Sequence, residues 1–342
     1  MAYLTSENKD IFLQLIDNSR NIAIICHQGP DGDAVGASLA LSSVLSRIGK
    51  SVTVAAPDDV PKSYASIPLI ASVRSFFSNR KEVEEALSSA DLIFCLDFNS
   101  PDRIGKMKDA VMKSKARRVQ IDHHEAPTLE VDFLISDPNC CSTAMMVYKV
   151  INEMGLGEHI DKLVAEYVFT GMMTDTGNFS YNSRDPEIYE IISHCLRLGV
   201  DKDKIYREIL NTNTEARIRI FGHLLDKRMT IDNTLRAAFI RLSKADMNAY
   251  RYEKGITEGL VNIPLSIPDI GYSFYLREDP ECIRISARSK GTNDVSKICA
   301  AMGGGGHANA AGAELVTTLD LAEARVKELL TNELANENNI TE

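Results

Sequence analysis

The sequence predicts an α/β protein with a parallel sheet in its larger N-terminal domain and a smaller α/β domain after it. Short apolar runs alternate with amphipathic segments from residue 21 to residue 175, which is the pattern of βαβ units. Beyond about residue 229, strand-like runs precede a long helical segment. We therefore predict domains at 1–190 and 230–342, with helices at 191–229 joining them.

Composition narrows the class of protein. The 342 residues are 44% hydrophobic and 25% charged, which is ordinary for a globular protein with two cores. The net charge of -10 argues against binding long nucleic acid, which needs a broad basic face, but it allows a small anionic ligand in a local pocket. Seven cysteines without a CxxC pair indicate reduced thiols. Without a signal-peptide pattern or a span-length apolar segment, we expect a cytoplasmic protein with no membrane partner.

The first predicted strand leads into an acidic loop. After an amphipathic helix at 6–19, the almost wholly apolar run 21–26 predicts a buried parallel strand. His27-Gln28-Gly29-Pro30-Asp31-Gly32-Asp33 follows, and a helix is predicted from about 34 to 48. One aspartate can cap this helix, but a single cap leaves His27 and the second carboxylate unexplained. The loop therefore predicts metal ligands.

Three further polar stretches follow apolar runs of the same domain. The remaining elements are predicted at 51–56, 80–89, 91–96, 118–121, 133–135, 144–154 and 160–174. Asp97 follows one strand, Asp122-His123-His124 follows the next, and Asp175 follows the last apolar helix. Because strand ends of an open α/β sheet present ligand-binding groups, we expect these side chains to act together.

Six mixed oxygen and nitrogen ligands suit two divalent cations better than one structural zinc ion. The expected ligands are His27, Asp31, Asp33, Asp97, His123 and Asp175. Carboxylates with some imidazole favour manganese, with magnesium and cobalt as alternatives. Two such ions about 3.5–4 Å apart activate a water and stabilise displacement at phosphorus. Because four carboxylates balance the charge of two such ions, another part of the chain must supply cations for an anionic substrate.

The second domain offers those cations. Its strands are predicted at 235–242, 271–276 and 282–287, and its helices at 294–301 and 319–336. Four basic residues, Arg284, Arg288, Lys290 and Lys297, lie close in sequence to a run of four glycines that ends at His307. Glycine N–H groups and an arginine fork both bind phosphate. A flexible loop and a solvated basic face are the alternatives, but their joint occurrence favours a substrate clamp.

The motifs resemble those of the DHH phosphoesterases. The N-terminal ones are His27 to Ala34, Asp97 with Arg103-Ile104-Gly105, Asp122-His123-His124 and Asp175-Thr176-Gly177. Ser286 to Ser289, Gly303 to His307 and Ala310-Ala311-Gly312 resemble the DHHA1 substrate domain. The likeness extends from about residue 15 to 330 and is greatest to the bifunctional oligoribonucleases and PAP phosphatases. One departure is Ala37 after Gly36, where serine is expected.

The resemblance implies an active-site cleft between the two domains and assigns roles to individual residues. His27, Asp31 and Asp97 would hold one ion, and Asp33, Asp97, His123 and Asp175 the other. The implied catalytic residues are Asp97, His124, which would face the scissile phosphate, and Arg103. Asp122 would orient a neighbouring ligand. The implied substrate-binding residues are Arg288, Ser289, Gly304, Gly305, Gly306 and His307.

The implied reaction is manganese-dependent hydrolysis of short RNA oligonucleotides to mononucleotides, with dephosphorylation of 3′-phosphoadenosine 5′-phosphate. Linear or cyclic dinucleotide phosphodiesterase and inorganic pyrophosphatase activities are alternatives, and a non-catalytic nucleotide sensor is an alternative from another class. The glycine run with His307 argues against the pyrophosphatase, and the intact ligand set argues against the sensor. The expected partners are short RNA and small nucleotides, not long duplexes, and the sequence leaves a homodimer open.

Overall fold

The computed structural model describes residues 2–253 and 255–340, without the side chains of residues 336–340. The chain divides into two compact units, Met1–Thr212 and Asn213–Glu342. The division falls inside the segment 191–229 that the sequence analysis expects to join the domains. The predicted domain boundaries and the predicted cleft stay predictions. Within the described residues, no helix is both long enough and apolar enough to span a bilayer.

The first unit contains the predicted parallel sheet. Its six strands are β1 (Asn21–Ile25), β2 (Ser51–Ala56), β3 (Arg74–Ser75), β4 (Leu92–Leu96), β5 (Arg117–Asp122) and β6 (Phe133–Ser136). They are hydrogen-bonded in the order β3-β2-β1-β4-β5-β6, and every pair is parallel. The strand order reverses between β1 and β4. A crevice for a ligand opens at such a reversal, outside the carboxyl ends of the strands.

Helices cover this sheet. They are α1 (Lys9–Asp17), α2 (Gly32–Arg47), α3 (Arg80–Ser89), α4 (Lys108–Lys113), α5 (Thr143–Glu153), α6 (Lys162–Asp175), α7 (Pro186–Arg197) and α8 (Lys202–Ile205). Helix α2 begins two residues before its predicted start because the Asp31 carboxylate caps it. That carboxylate accepts hydrogen bonds of 3.0 Å from the N–H groups of Asp33 and Ala34.

Glycines let α2 and α6 pack closely. A Cβ at Gly36 would lie 2.6 Å from the Tyr167 carbonyl oxygen, and a Cβ at Gly171 would lie 2.7 Å from Oδ1 of Asp33. Real Cβ atoms do not approach other atoms this closely. The missing side chains therefore allow the backbone of α6 to lie against α2 and against the Asp33 carboxylate.

The second unit is built on a mixed sheet. Its strands are β7 (Met229–Asp232), β8 (Ala237–Leu242), β9 (Tyr272–Glu278), β10 (Ile283–Ser289), β11 (Gly305–His307) and β12 (Ala310–Leu315). The order is β11-β12-β10-β9-β8-β7, and β8 with β9 is the parallel pair. The helices are α9 (Glu215–Lys227), α10 (Lys244–Ala249), α11 (Val295–Ala300) and α12 (Leu319–Ile340). Phe239 stacks on Phe274 in the core, with ring centroids 5.4 Å apart.

The glycine run is partly a strand. Gly305–His307 forms the edge strand β11, which pairs with β12, so the alternative of a flexible loop does not describe this segment. Strand propensity misses β11 because glycine is depleted in strands. A Cβ at Gly304 would overlap the Gly312 carbonyl, and one at Gly306 would lie 2.5 Å from that of Ala310. The close approach of this segment to β12 requires glycine.

Gly36→Ala should destabilise the protein by about 1–3 kcal/mol, because the new methyl group has no space between α2 and α6. Gly222→Ala is the control, since a Cβ at that position in α9 would meet no atom within 4 Å. The control should be neutral or stabilising by up to about 1 kcal/mol. Urea unfolding followed by circular dichroism measures both. Equal stabilities would mean that α2 and α6 are not in close contact at Gly36.

Candidate metal centre and substrate face

Side chains predicted from separate stretches of sequence meet at the carboxyl edge of the parallel sheet. His27 and Asp33 follow β1, Asp97 follows β4, and His123 follows β5. These three strands are neighbours in the sheet, so their ends lie side by side. Asp175, the last residue of α6, completes the cluster. The cluster therefore occupies the edge at which the strand order reverses.

Asp97 lies at the centre of this cluster. Its side chain is almost fully buried. Oδ2 lies 3.4 Å from Nε2 of His27, and Oδ1 lies 3.5 Å from Nε2 of His123. The backbone φ of Asp97 is 65°, a left-handed value that costs free energy in a residue other than glycine. Two oxygens that face two different imidazoles suit a carboxylate shared by two cations.

His27 forms the first group of ligand atoms around Asp97. Its Nε2 lies 3.6 Å from Oδ2 of Asp31, and its Nδ1 lies 2.9 Å from the Gln28 carbonyl oxygen. An imidazole that donates its Nδ1 proton to a carbonyl keeps Nε2 free for a metal. One potential ligand atom from each of His27, Asp31 and Asp97 lies within 4.8 Å of the others, so these residues can hold a cation.

His123 forms the second group. Its Nε2 lies 3.7 Å from Oδ2 of Asp175 and 4.0 Å from Oδ2 of Asp33, and its Nδ1 lies 3.3 Å from the Cys140 carbonyl oxygen. Ligand atoms of Asp33, His123 and Asp175 also lie within 4.8 Å of one another. The two groups together contain all six ligands that the sequence analysis expects, and Asp97 lies between them.

The N-terminus of α5 contributes contacts that the sequence analysis missed. The N–H groups of Thr143 and Ala144 donate to the two oxygens of Asp33 at 2.7 and 2.9 Å. The Thr143 hydroxyl donates to Oδ1 of Asp97 at 2.9 Å. Helix N-termini favour anions through free N–H groups and the helix dipole. The sequence identified a helix start at Ser142 and Thr143, but it could not show which distant carboxylates meet it.

The carboxylates of the cluster raise the pKa of its two histidines. Burial lowers the pKa of His27, but its hydrogen bonds to Asp31 and Asp97 outweigh burial and raise the pKa to about 10. Burial also opposes the charged form of His123, whose pKa the Asp97 hydrogen bond and the nearby carboxylates raise to about 11. Burial and the charges of Asp97 and Asp175 raise the pKa of Asp33. A group of side chains that favours bound protons also favours divalent cations. Cations that bind these ligand atoms displace the protons.

His124 has different surroundings from His123. Its Nδ1 lies 2.7 Å from Oδ1 of the fully buried Asp122 and 3.8 Å from Oδ1 of Asp97. Gln120 donates to the Phe98 carbonyl at 2.9 Å and lies 3.5 Å from Oδ2 of Asp122. Asp122 therefore orients the His124 ring by its Nδ1 and leaves Nε2 for another partner. His124 also lies within reach of a cation held by Asp97 and His123.

Arg103 lies in the turn that follows β4. Its carbonyl accepts a 2.7 Å hydrogen bond from the Gln28 N–H, which joins this turn to the loop that contains His27. The guanidinium of Arg103 is exposed and has no ion pair with any side chain in the described ranges. It is therefore available to an anionic ligand.

Of the four basic residues predicted to bind an anion in the second unit, three have partners within the protein. Arg284 pairs with Glu314 and lies 3.6 Å from Asp279. Lys297 pairs with Glu333 at 2.6 Å, and Lys290 donates to three backbone carbonyls at 2.8–3.1 Å. Arg288 has no carboxylate partner among the residues that the structure describes. Its Nη1 donates to the Ala287 carbonyl, and burial lowers its pKa.

Arg288 and His307 lie in one row across three strands. Arg288 of β10 pairs with Ala310 of β12, which pairs with His307 of β11. Directly paired residues share one face of a sheet, so both side chains extend from the same face about 10 Å apart. Ala310, which lies between them, has only a methyl side chain. Next to this row lies a hollow of 450 Å³, and its lining includes Arg284, Ser286, Gly303, Gly304 and Gly312.

Ser289 has internal partners. Its hydroxyl donates to the Asn293 carbonyl at 2.7 Å and accepts from Nδ2 of Asn309 at 3.0 Å. These bonds hold the connection between β10 and α11 against the start of β12. In the structure, the Ser289 hydroxyl therefore makes internal hydrogen bonds that stabilise this face.

Comparisons with known proteins cover both units. Residues 21–172 match the family model described as DHH family, N-terminal domain, and residues 242–335 match that of the DHHA1 domain. The chain is 28% identical over 319 residues to the bifunctional oligoribonuclease and PAP phosphatase NrnA of Thermus thermophilus. That alignment covers 92% of this chain and 90% of the relative.

Two further relatives differ in how much of their length is matched. An exopolyphosphatase-related protein from Bacteroides fragilis is 39% identical, with a TM-score of 0.92 over 96% of this chain and 98% of that one. The cyclic-di-AMP phosphodiesterase GdpP of Bacillus subtilis is 23% identical over 317 residues. That match covers 88% of this chain and 46% of the relative, so the chain spans about half of the length of GdpP.

Proposed function

We propose that this chain, which belongs to the DHH family and carries a DHHA1 domain, is a manganese-dependent phosphoesterase of short nucleotides. It hydrolyses short oligoribonucleotides to mononucleotides and removes phosphate from 3′-phosphoadenosine 5′-phosphate. The relative from Thermus thermophilus, whose name contains both activities, supports this choice of substrates. The seven unpaired cysteines support a location in the cytoplasm.

The position of Asp97 between two groups of ligand atoms is the observation that carries the proposal. The potential metal ligands are carboxylates and imidazoles. This combination favours manganese over soft metals, which prefer sulfur ligands. When bound, two such cations polarise a water and stabilise charge on the phosphate ester under attack. Thr143 and Ala144 fix the Asp33 carboxylate, and Thr143 also fixes Asp97, so these ligands are pre-oriented.

His124 acts on the ester itself in this proposal. Asp122 holds its Nδ1, so Nε2 can donate a hydrogen bond to the developing charge or a proton to the leaving oxygen. Arg103, exposed on the neighbouring turn, assists by binding a phosphate oxygen. Neither role requires His124 or Arg103 to bind a cation.

The face of the second unit binds the terminal phosphate or nucleotide. Arg288 offers a two-pronged donor that matches phosphate oxygens. His307 lies in the same row, and Gly303 and Gly304 line the hollow next to it. Arg288 thereby gives this face a positive charge for an anionic ligand.

A substrate panel tests the proposal. With manganese present, the protein should cleave a diribonucleotide and 3′-phosphoadenosine 5′-phosphate, and a chelator should abolish both activities. Rates should fall for strands longer than about five nucleotides, since the net charge of -10 repels additional phosphates. Asp97→Asn should lose activity by orders of magnitude, because an amide cannot supply two anionic oxygens.

The same panel includes cyclic di-AMP and pyrophosphate. Faster cleavage of cyclic di-AMP would favour the activity in the name of the Bacillus subtilis relative and would replace the proposed substrates. Near-normal turnover by the Asp97→Asn variant would remove Asp97 from the centre of the mechanism.

Alanine variants of the two adjacent histidines should have different defects, one in metal content and the other in reaction rate. His123→Ala should reduce the manganese content of the purified protein, because it removes a ligand atom. His124→Ala should retain the metal and lose about 10²–10⁴-fold in rate, the usual contribution of a positioned acid or base. Metal analysis and initial rates measure both, with His159→Ala as a control outside the cluster. Equal loss of metal in both variants would contradict these separate roles.

Arg288→Ala should raise the KM for a diribonucleotide. The loss of one charge-assisted hydrogen bond should weaken the binding free energy by about 1.5–3 kcal/mol. Arg325→Ala is the control, because Arg325 lies on α12, pairs with Glu328 and does not line the hollow beside Arg288. The control should leave KM almost unchanged, and both variants should keep their manganese. Indistinguishable KM values for the two variants would remove the proposed role of this face.

A further inference from the structure

The loop between α6 and α7 presents an exposed aromatic side chain beside the metal cluster. Tyr181 is 60% exposed, although it lies only six residues after Asp175. The Tyr181 ring lies on Gly177, and the Tyr181 N–H donates to the Thr176 carbonyl, so this tyrosine contacts the two residues that directly follow Asp175. A tyrosine ring left largely in water contributes little to folding, and exposed aromatic rings often serve binding.

The backbone of this loop has an unusual conformation. Gly177, Asn178 and Phe179 are consecutive residues with φ values of 55°, 57° and 61°. The left-handed region is costly for Phe179 because of its side chain, and a sequence of three such residues persists only where other contacts enforce it. The N–H of Tyr181 donates to the Thr176 carbonyl at 3.2 Å, and the N–H of Phe179 donates to the Thr176 hydroxyl at 3.0 Å.

Side-chain packing also fixes the loop. The ring of Phe179 packs against that of Phe169 in α6, with centroids 5.7 Å apart. The Tyr181 ring lies on Gly177, where any Cβ would overlap it. The ring is thus supported by backbone on one side and open on the other. This support limits the rotamer freedom that a ligand would otherwise have to remove.

We propose that Tyr181 stacks on a nucleobase adjacent to the phosphate that is cleaved. The inference rests on the proposed function and adds a base-binding residue on the first unit. An aromatic platform accepts every base through its π-face, so it adds affinity without selecting a sequence. It also adds no charge to a carboxylate-rich cluster. Tyr181 would therefore be a positioning residue that holds the nucleoside while other groups act on the phosphate.

Four proteins and two substrates test the role of Tyr181. The proteins are the wild type, Tyr181→Ala, Tyr181→Phe and Tyr189→Ala, which removes another half-exposed tyrosine, on α7. The substrates are a diribonucleotide and the same molecule without its bases. Tyr181→Ala should raise the KM of the diribonucleotide about tenfold, and it should leave the KM of the base-free substrate unchanged. Tyr181→Phe and Tyr189→Ala should behave as the wild type.

The outcomes separate this inference from the proposed function. If the wild type cleaves neither substrate with manganese, the proposed function fails. If the wild type is active but Tyr181→Ala raises the KM of both substrates equally, or of neither, the proposal of base stacking is wrong. Manganese content shows whether the Tyr181→Ala variant still binds metal, and circular dichroism shows whether it is still folded. A loss of metal would assign Tyr181 to the support of Asp175 and would overturn the stacking role.

Discussion

The burial of two carboxylates, Asp33 and Asp97, is the constraint on which the rest of the first unit depends. Moving a carboxylate out of water is costly unless hydrogen bonds or opposite charges compensate for the lost solvation. Thr143 and Ala144 supply the hydrogen bonds, and the imidazoles of His27 and His123 supply the opposite charge. The start of α5, the close packing of α2 on α6 and the left-handed backbone of Asp97 all serve to place these groups.

The sequence predicted the parallel sheet and the helices around it because apolar runs and helix signals carry that information locally. Strands β1, β2, β4, β5 and β6 were each expected within about a residue or two of their observed bounds. It missed β3, β7, β11 and β12, which are short, lie at sheet edges or contain glycine and alanine. Such strands form because a neighbouring strand offers hydrogen bonds, and single-sequence propensity does not contain this tertiary information.

The candidate site was predictable as far as residue types and strand ends determine it. His27, Asp97 and His123 follow strands that the fold places side by side. The contacts of α5 with Asp33 and Asp97 were not predictable, because those residues are 110 and 46 positions away from their partners. Basic residues near the glycine run looked equivalent in the sequence. The structure distinguishes Arg288 from its neighbours by its lack of a carboxylate partner within the described ranges, and register places it in a row with His307.

The left-handed backbone and the buried charge of Asp97 set stability against activity at a single position. In the metal-free protein, glycine there would relieve the backbone strain and remove the repulsion of Asp33, but it would also remove the contacts with His123 and His27 that lower the pKa of the Asp97 carboxyl. Selection for thermal resistance alone would thus act on these opposing effects without regard to the cations that the residue is proposed to hold. Any engineering of this scaffold for robustness has to score variants with the cations bound, or it will enrich folded proteins that have lost their chemistry.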